Sequence, residues 1–133
     1  MKKAIVELWD DGTYSIFVPD MKKHNLNAQG GSVSEAKEKL KEAIQDYIDM
    51  YANMGKPIPE EINHPDFEFK YDMASFFNYF DCLNASRLAE KAGVNASLIR
   101  QYKKGIKFAS EKQSNKIQTA IHRLGNELLA VRL

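Results

Sequence analysis

Gly93-Val94-Asn95 separates two short helical patterns, and few backbones accommodate such a junction. The first pattern is Ser86-Arg87-Leu88-Ala89-Glu90-Lys91-Ala92. The second runs from Ala96 to Lys104 and is closed by Gly105. Gly93 suits a left-handed turn position that a side chain disfavours. Asn95 suits the N-cap of the second helix, because its side-chain oxygen can accept a backbone N–H. Leu88, Ala89, Val94, Leu98 and Ile99 are spaced to meet between the helices, and small Ala89 permits close approach. Arg100, Gln101, Lys103 and Lys104 line the second helix with donors. Residues 84–105 thus fit a helix-turn-helix, whose second helix enters the DNA major groove. The alternative is a purely structural helical hairpin, since glycine turns join helices in many proteins that never meet DNA.

Composition narrows the classes. A chain of 133 residues is one ordinary domain or two very small ones. Hydrophobic content of 44% beside 28% charged residues is a globular composition and excludes a disordered one. No apolar run approaches the roughly 20 residues that span a bilayer. Glu7 and Asp10 interrupt the apolar stretch that a signal peptide would need after Met1-Lys2-Lys3, so a cytoplasmic location is expected. The single cysteine, Cys82, excludes an intramolecular disulfide framework and fits a reducing compartment. It is expected to be a small buried apolar side chain.

The net charge of +1 conceals a division. Residues 1–71 carry 9 Lys+Arg and 13 Asp+Glu, a net of −4, whereas residues 72–133 carry 10 and 5, a net of +5. An acidic half beside a basic half implies two modules with different partners. The basic half holds the helical hairpin, and neutralising phosphates is what its charge would serve.

Periodicity supports the same division and predicts an α+β chain. Lys3 to Asp10 is rich in β-formers, Asp11-Gly12 is a hairpin turn signal, and Tyr14, Ile16 and Val18 alternate up to Pro19-Asp20. Leu26 to Gln29 is expected as a third strand. Ser32 or Ser34 can cap a long helix from Ser34 to Met54. Its apolar stripe is Ala36, Leu40, Ala43, Ile44, Tyr47, Ile48 and Tyr51. Gly55, Pro57 and Pro59 end it. Phe67, Phe69 and Tyr71 alternate as a fourth strand. The first domain is therefore β-β-β-α-β over residues 1–71, and an all-α domain follows over 72–133. There Phe76, Phe77 and Phe80 face inward from one helix. A last helix from Ser110 to Leu129 carries Ile117, Ala120, Ile121, Leu124, Leu128 and Leu129.

Two modules in this order resemble the HicB antitoxin family. The resemblance rests on Tyr14-Ser15-Ile16-Phe17-Val18-Pro19-Asp20, on Gly30-Gly31-Ser32-Val33-Ser34-Glu35-Ala36, and on Gly55-Lys56-Pro57-Ile58-Pro59. It covers most of residues 1–60. It implies a partial RNase H-like fold for the first domain. The chain departs from the family at Met21-Lys22-Lys23-His24-Asn25, where a Pro-Gly-Cys-like segment is common. The second domain looks like the Cro/repressor-type helix-turn-helix of one HicB subset, with Leu88-Ala89, Gly93-Val94, Ser97, Ile99 and Gly105 at the motif's usual positions.

The resemblance implies two macromolecular partners. One is operator DNA. Asn95, Ala96, Ser97, Arg100 and Gln101 would then face base edges, with arginine suited to guanine and glutamine to adenine. Arg87, Lys103, Lys104 and Lys107 would hold phosphates. The other partner is a small RNA-cleaving toxin of the HicA type, met by acidic contacts from Glu7, Asp10, Asp11 and Asp20. A homodimer or higher even oligomer is expected, since paired half-sites require one. The last helix is the candidate dimer interface, or else packs only within its own domain. An orphan regulator without a toxin, or a solely protein-binding module, is the alternative.

Enzymatic chemistry is not expected. The strand-region acids Glu7, Asp10, Asp11 and Asp20 include two in a turn, where aspartate is common for conformational reasons. His24, His64 and His122 lack a neighbour at metal-ligand spacing. No nucleophile motif or phosphate-cradling loop is present, so neither catalytic residues, metal nor cofactor is assigned.

Overall fold

The computed structural model describes residues 1–133. The chain is mixed α+β, with a four-stranded sheet and five helices. It divides into two compact units, Met1–Ser75 and Phe76–Leu133.

In the first unit, β1 (Lys2–Leu8) and β2 (Tyr14–Phe17) pair antiparallel, with Ile5 opposite Phe17 and Leu8 opposite Tyr14. Asp11 closes their turn, its Oδ1 accepting the Thr13 N–H at 2.9 Å and hydroxyl at 2.6 Å. β3 (Asn27–Gly30) extends the sheet on the other side of β2. It runs one residue later than the expected Leu26 to Gln29, although the Leu26 carbonyl still accepts the Val18 N–H at 3.1 Å in the same register. Gly30 is required here. A Cβ on it would lie 2.8 Å from the Ala36 backbone nitrogen, so only glycine lets β3 run against the next helix.

That helix is α1 (Val33–Asn53), and the capping serine is Ser32, whose hydroxyl accepts the Glu35 N–H at 3.1 Å. The Glu35 carboxylate in turn reaches back to the Gly31 N–H, one residue before the cap, at 3.3 Å. β4 (Phe67–Tyr71) returns parallel to β1, giving the order β3-β2-β1-β4. A parallel neighbour needs a long crossover, and the segment containing α1 provides it. The core is Ala4, Val6, Ile16 and Ala28 from the sheet, Val33, Ala36 and Leu40 from α1, and Leu26 and Ile62 from the loops. The apolar stripe of α1 beyond Leu40 is only half-buried. A helix of 21 residues is about 31 Å long. The seven-residue β1 spans only about 23 Å, so the helix outruns the sheet.

Asp72 ends the sheet. Its Oδ2 accepts the Leu8 N–H at 2.8 Å, and its Oδ1 accepts the Ser75 N–H at the start of α2 (Met73–Tyr79), also at 2.8 Å. Burial, and then the charge of Asp72, push the Tyr14 phenol up from its ordinary value. The division between the two compact units falls inside α2, between Ser75 and Phe76.

The second unit contains α3 (Ala85–Ala92), α4 (Ala96–Lys103) and α5 (Glu111–Leu129). Leu88, Ala89, Val94, Ile99, Tyr102, Ile117 and Ala120 are buried. Three expectations are corrected. Of the inward phenylalanines only Phe77 is fully buried; Phe76 and Phe80 are half-buried, with ring centroids 5.1 Å apart. Cys82 is exposed, because it lies in the turn after α2 rather than on a helix face. On α5, Leu128 and Leu129 are 59% and 80% exposed. At 19 residues α5 extends about 28 Å, far past the 12 Å or so of eight-residue α3. No helix is long and apolar enough to cross a membrane.

The Met21–Asn25 loop is held by a polar network. His24 is buried, and its Nδ1 lies 2.6 Å from Glu61 Oε2 while its Nε2 lies 2.8 Å from the Tyr51 hydroxyl. Glu61 also accepts the N–H groups of Lys22 and Lys23. The Tyr47 ring packs edge-on to the imidazole at 4.9 Å. The hydrogen bond from His24, then that from Lys22, hold the Glu61 carboxyl down to about 2 from an ordinary 4.5. A carboxyl depressed by folding stabilises fully above its unfolded value, and that contribution fades as pH falls through the folded one. Glu61→Gln is therefore expected to lower the urea midpoint at pH 7, with the deficit shrinking below pH 4.5. Urea titrations of both proteins at pH 7 and pH 3 check this; an equal deficit at both would contradict it.

Candidate nucleic-acid interface

Helices of eight residues are marginal alone and depend on their ends and on packing. Here every end is closed locally. Asn84 caps α3, its side chain accepting the Arg87 N–H at 3.0 Å. Gly93 terminates α3 in the left-handed region at φ 71, ψ 33. The Val94 N–H then donates back to the Ala89 carbonyl at 2.9 Å. Asn95 turns the chain into α4, with its Oδ1 accepting from Ser97 at 2.8 Å and Leu98 at 3.3 Å. Gly105, at φ 74, takes the left-handed position past the end of α4, and the Ile106 N–H donates to the Gln101 carbonyl at 3.0 Å. Between the helices, Leu88 and Ala89 of α3, Val94 of the turn and Ile99 of α4 are buried and Leu98 is half-buried.

Burying Ile99 and Tyr102 fixes which side of α4 faces out. Ser97, Arg100, Gln101 and Lys104 recur at steps of three and four and form one stripe on the opposite side. Ser97, Arg100 and Lys104 are exposed, and Gln101 is half-buried. Ala96 is half-buried as well. Asn95 is exposed, but its carbonyl oxygen is committed to the cap, so only its amide nitrogen is left to donate outward. Arg100 reaches toward the first turn of α3, its guanidinium 3.5 Å from the Ser86 hydroxyl. That long contact orients the arginine while leaving most of its donors available. Lys103 and Lys107 are exposed and flank the stripe. Arg87 is exposed on α3 with its guanidinium 3.7 Å from Glu90, a pair in open solvent that contributes little. α4 and its flanks thus gather Ser97, Arg100, Gln101, Lys103, Lys104 and Lys107 within about three helical turns, and Arg87 stands on the neighbouring helix.

The acidic residues are less concentrated. Glu7 is exposed on β1, on the sheet face opposite buried Val6. Asp10 and Asp11 lie in the β1–β2 turn beyond the same end of the strand. Asp20 lies past the other end of β2. Asp11 is engaged in its turn, where the Thr13 hydroxyl and amide hold its carboxyl below the ordinary value. Glu7, Asp10 and Asp11 are therefore neighbours, and Asp20 is not one of them.

The feature that sequence reasoning missed is the His24–Glu61–Tyr51 network. Its members are separated by up to 37 positions, so no local spacing could reveal it. Only the odd placing of a histidine in an apolar alternation with Leu26 and Ala28 hinted at an inward side chain.

Comparison of the chain with models of protein families, with curated proteins and with solved structures found no match.

The caps imply a measurable cost. Asn95→Ala is expected to destabilise the helical unit by about 1 kcal/mol, the usual loss on removing an asparagine N-cap. Thermal or urea unfolding of the full chain checks this, and no change would mean that another group satisfies the Ser97 and Leu98 amides.

Proposed function

We propose that this chain is a two-part regulator, an antitoxin of a type II toxin–antitoxin system that also represses its own promoter. In this reading the first unit neutralises a small RNA-cleaving toxin of the HicA type, and the second binds operator DNA as a helix-turn-helix. The protein acts in the cytoplasm by binding, not by catalysis.

The observation that carries the DNA-binding part is the junction of α3 and α4. A left-handed glycine and a doubly bonded asparagine cap hold α4 with its apolar side inward and Ser97, Arg100, Gln101 and Lys104 outward. A positioned helix with polar donors at its start is what reading base edges requires. Arginine can engage guanine O6 and N7 together, and glutamine can pair with adenine, each worth roughly 1–3 kcal/mol of discrimination. Lys103, Lys104 and Lys107 hold phosphates, which set register without specifying sequence. The element order β-β-β-α-β of the first unit, which this reading takes as a partial RNase H-like fold, supports the toxin-binding part. So does the acidic balance of residues 1–71 against a basic toxin. Glu7, Asp10 and Asp11 form the acidic contact patch, with Asp20 set apart.

Operator half-sites a helical turn apart call for a dimer. Leu128 and Leu129, exposed at the end of α5, supply apolar area for it. Sedimentation at micromolar concentration is expected to give twice the mass of one chain, and a monomer would contradict that arrangement.

The decisive titration uses two duplexes at one fixed salt concentration, the chain's own promoter and a random sequence. Wild type is expected to prefer the promoter. Arg100→Ala is expected to lose affinity for the promoter, by about tenfold or more, and to lose little for random DNA. Equal loss on both would sink the base-reading role. Metal-dependent RNA cleavage by the purified chain would overturn the assignment as a binding protein.

A further inference from the structure

A second basic surface lies on the helical unit, away from α4. The last turn of α3 and the first four turns of α5 enclose an open groove of about 450 Å³. Lys91, Lys112, Lys116 and Arg123 line it, with Asn115 and Thr119 between them. No acidic side chain is among the lining residues, and none of the four cations has a carboxylate within 4 Å. By contrast, Arg87, one turn earlier on α3, is already drawn to Glu90. None of the residues placed against DNA through α4 contributes to this groove.

Four unpaired like charges around one concavity repel one another and focus a positive potential into it. Lys91 has a local explanation, since a cation near a helix C-terminus is favoured by the helix dipole. Lys112 has none, because it sits in the first turn of α5, where the dipole disfavours positive charge. Its placement therefore works against the helix that carries it, and an anionic occupant would reverse that. From Lys112 to Arg123 the helix advances 11 steps, about 16.5 Å along the axis. That length matches the rise of about five nucleotides on one strand of duplex DNA, so the groove suits an extended chain of phosphates better than a single small anion. The Asn115 carboxamide adds a neutral donor, while the Thr119 hydroxyl is committed to the Asn115 carbonyl at 2.8 Å.

We propose that this α3–α5 groove binds the phosphodiester backbone of duplex DNA without regard to sequence, as a contact surface distinct from the α4 stripe. The proposal goes beyond operator recognition and does not require it. The groove anchors the chain to any duplex, and α4 then discriminates among sequences.

The test measures binding of the full chain to a random duplex across a series of salt concentrations, for wild type and for Lys112→Ala/Lys116→Ala/Arg123→Ala. Removing three phosphate contacts is expected to reduce the salt slope, the magnitude of d log K/d log [salt], by about 2.7, or 0.9 for each. The same variant is expected to keep the wild-type ratio of promoter to random affinity. All three side chains are exposed, so an unchanged thermal midpoint verifies that the fold is intact. An unchanged slope and affinity in the folded triple variant overturns the proposal, even if the promoter is still preferred. Binding to single-stranded RNA that exceeds duplex binding and vanishes in the variant also overturns it, since the groove would then serve another partner. If wild type shows no promoter preference but the variant loses the slope, the groove stands and the operator reading falls.

Discussion

Two helices of eight residues are marginal in water on their own, so the left-handed bend at Gly93 and the cap at Asn95 support the packing that holds the second unit together. The bend returns the chain upon itself, so that the Val94 N–H reaches the Ala89 carbonyl, and Leu88, Ala89, Val94 and Ile99 are all buried. The cap satisfies two amides at the start of α4 that would otherwise be orphaned. Together they fix the rotation of α4, because the same register that buries Ile99 and Tyr102 turns Ser97, Arg100 and Lys104 outward. Local backbone chemistry, core packing and the exposed donor stripe are thus a single arrangement. A change at the turn would act on all three.

The first unit rests on a different device. Its sheet is short and its helix long, so the far half of α1 has no strands to cover it. Loops take over there. Ile62 enters the core from one, and the buried His24 bridges Tyr51 to Glu61 from another. Met21–Asn25 is therefore a clamped segment with Lys22 and Lys23 on its surface, and under the proposed function it is where the chain departs from the antitoxin pattern. In the proposed function this departure would change the surface offered to a toxin.

Much of the architecture could be read from residues because it is encoded locally. The Asp11-Gly12 turn, the alternations of the strands, Gly93, Asn95 and the proline stop after α1 each act over a few positions, and each element was expected near its place. What escaped was set by distant partners. Nothing near Phe67–Tyr71 says that it pairs parallel with β1. Helical spacing placed Leu128 and Leu129 on the apolar side of α5 but could not tell that the helix outruns its neighbours. Cys82 was expected inside by its chemistry and lies outside by its position in a turn. The stripe on α4 was legible because the buried side of the helix was. The groove of Lys91, Lys112, Lys116 and Arg123 was not, since it needs α3 and α5 placed side by side.

The central claim is that α4 meets DNA through its outward stripe. Amide chemical shifts of the full chain, followed during titration with its own promoter duplex, address it most directly. The account predicts the largest changes at Ser97, Arg100, Gln101 and Lys104. Binding that leaves these four unperturbed, or no binding at moderate salt, would contradict it.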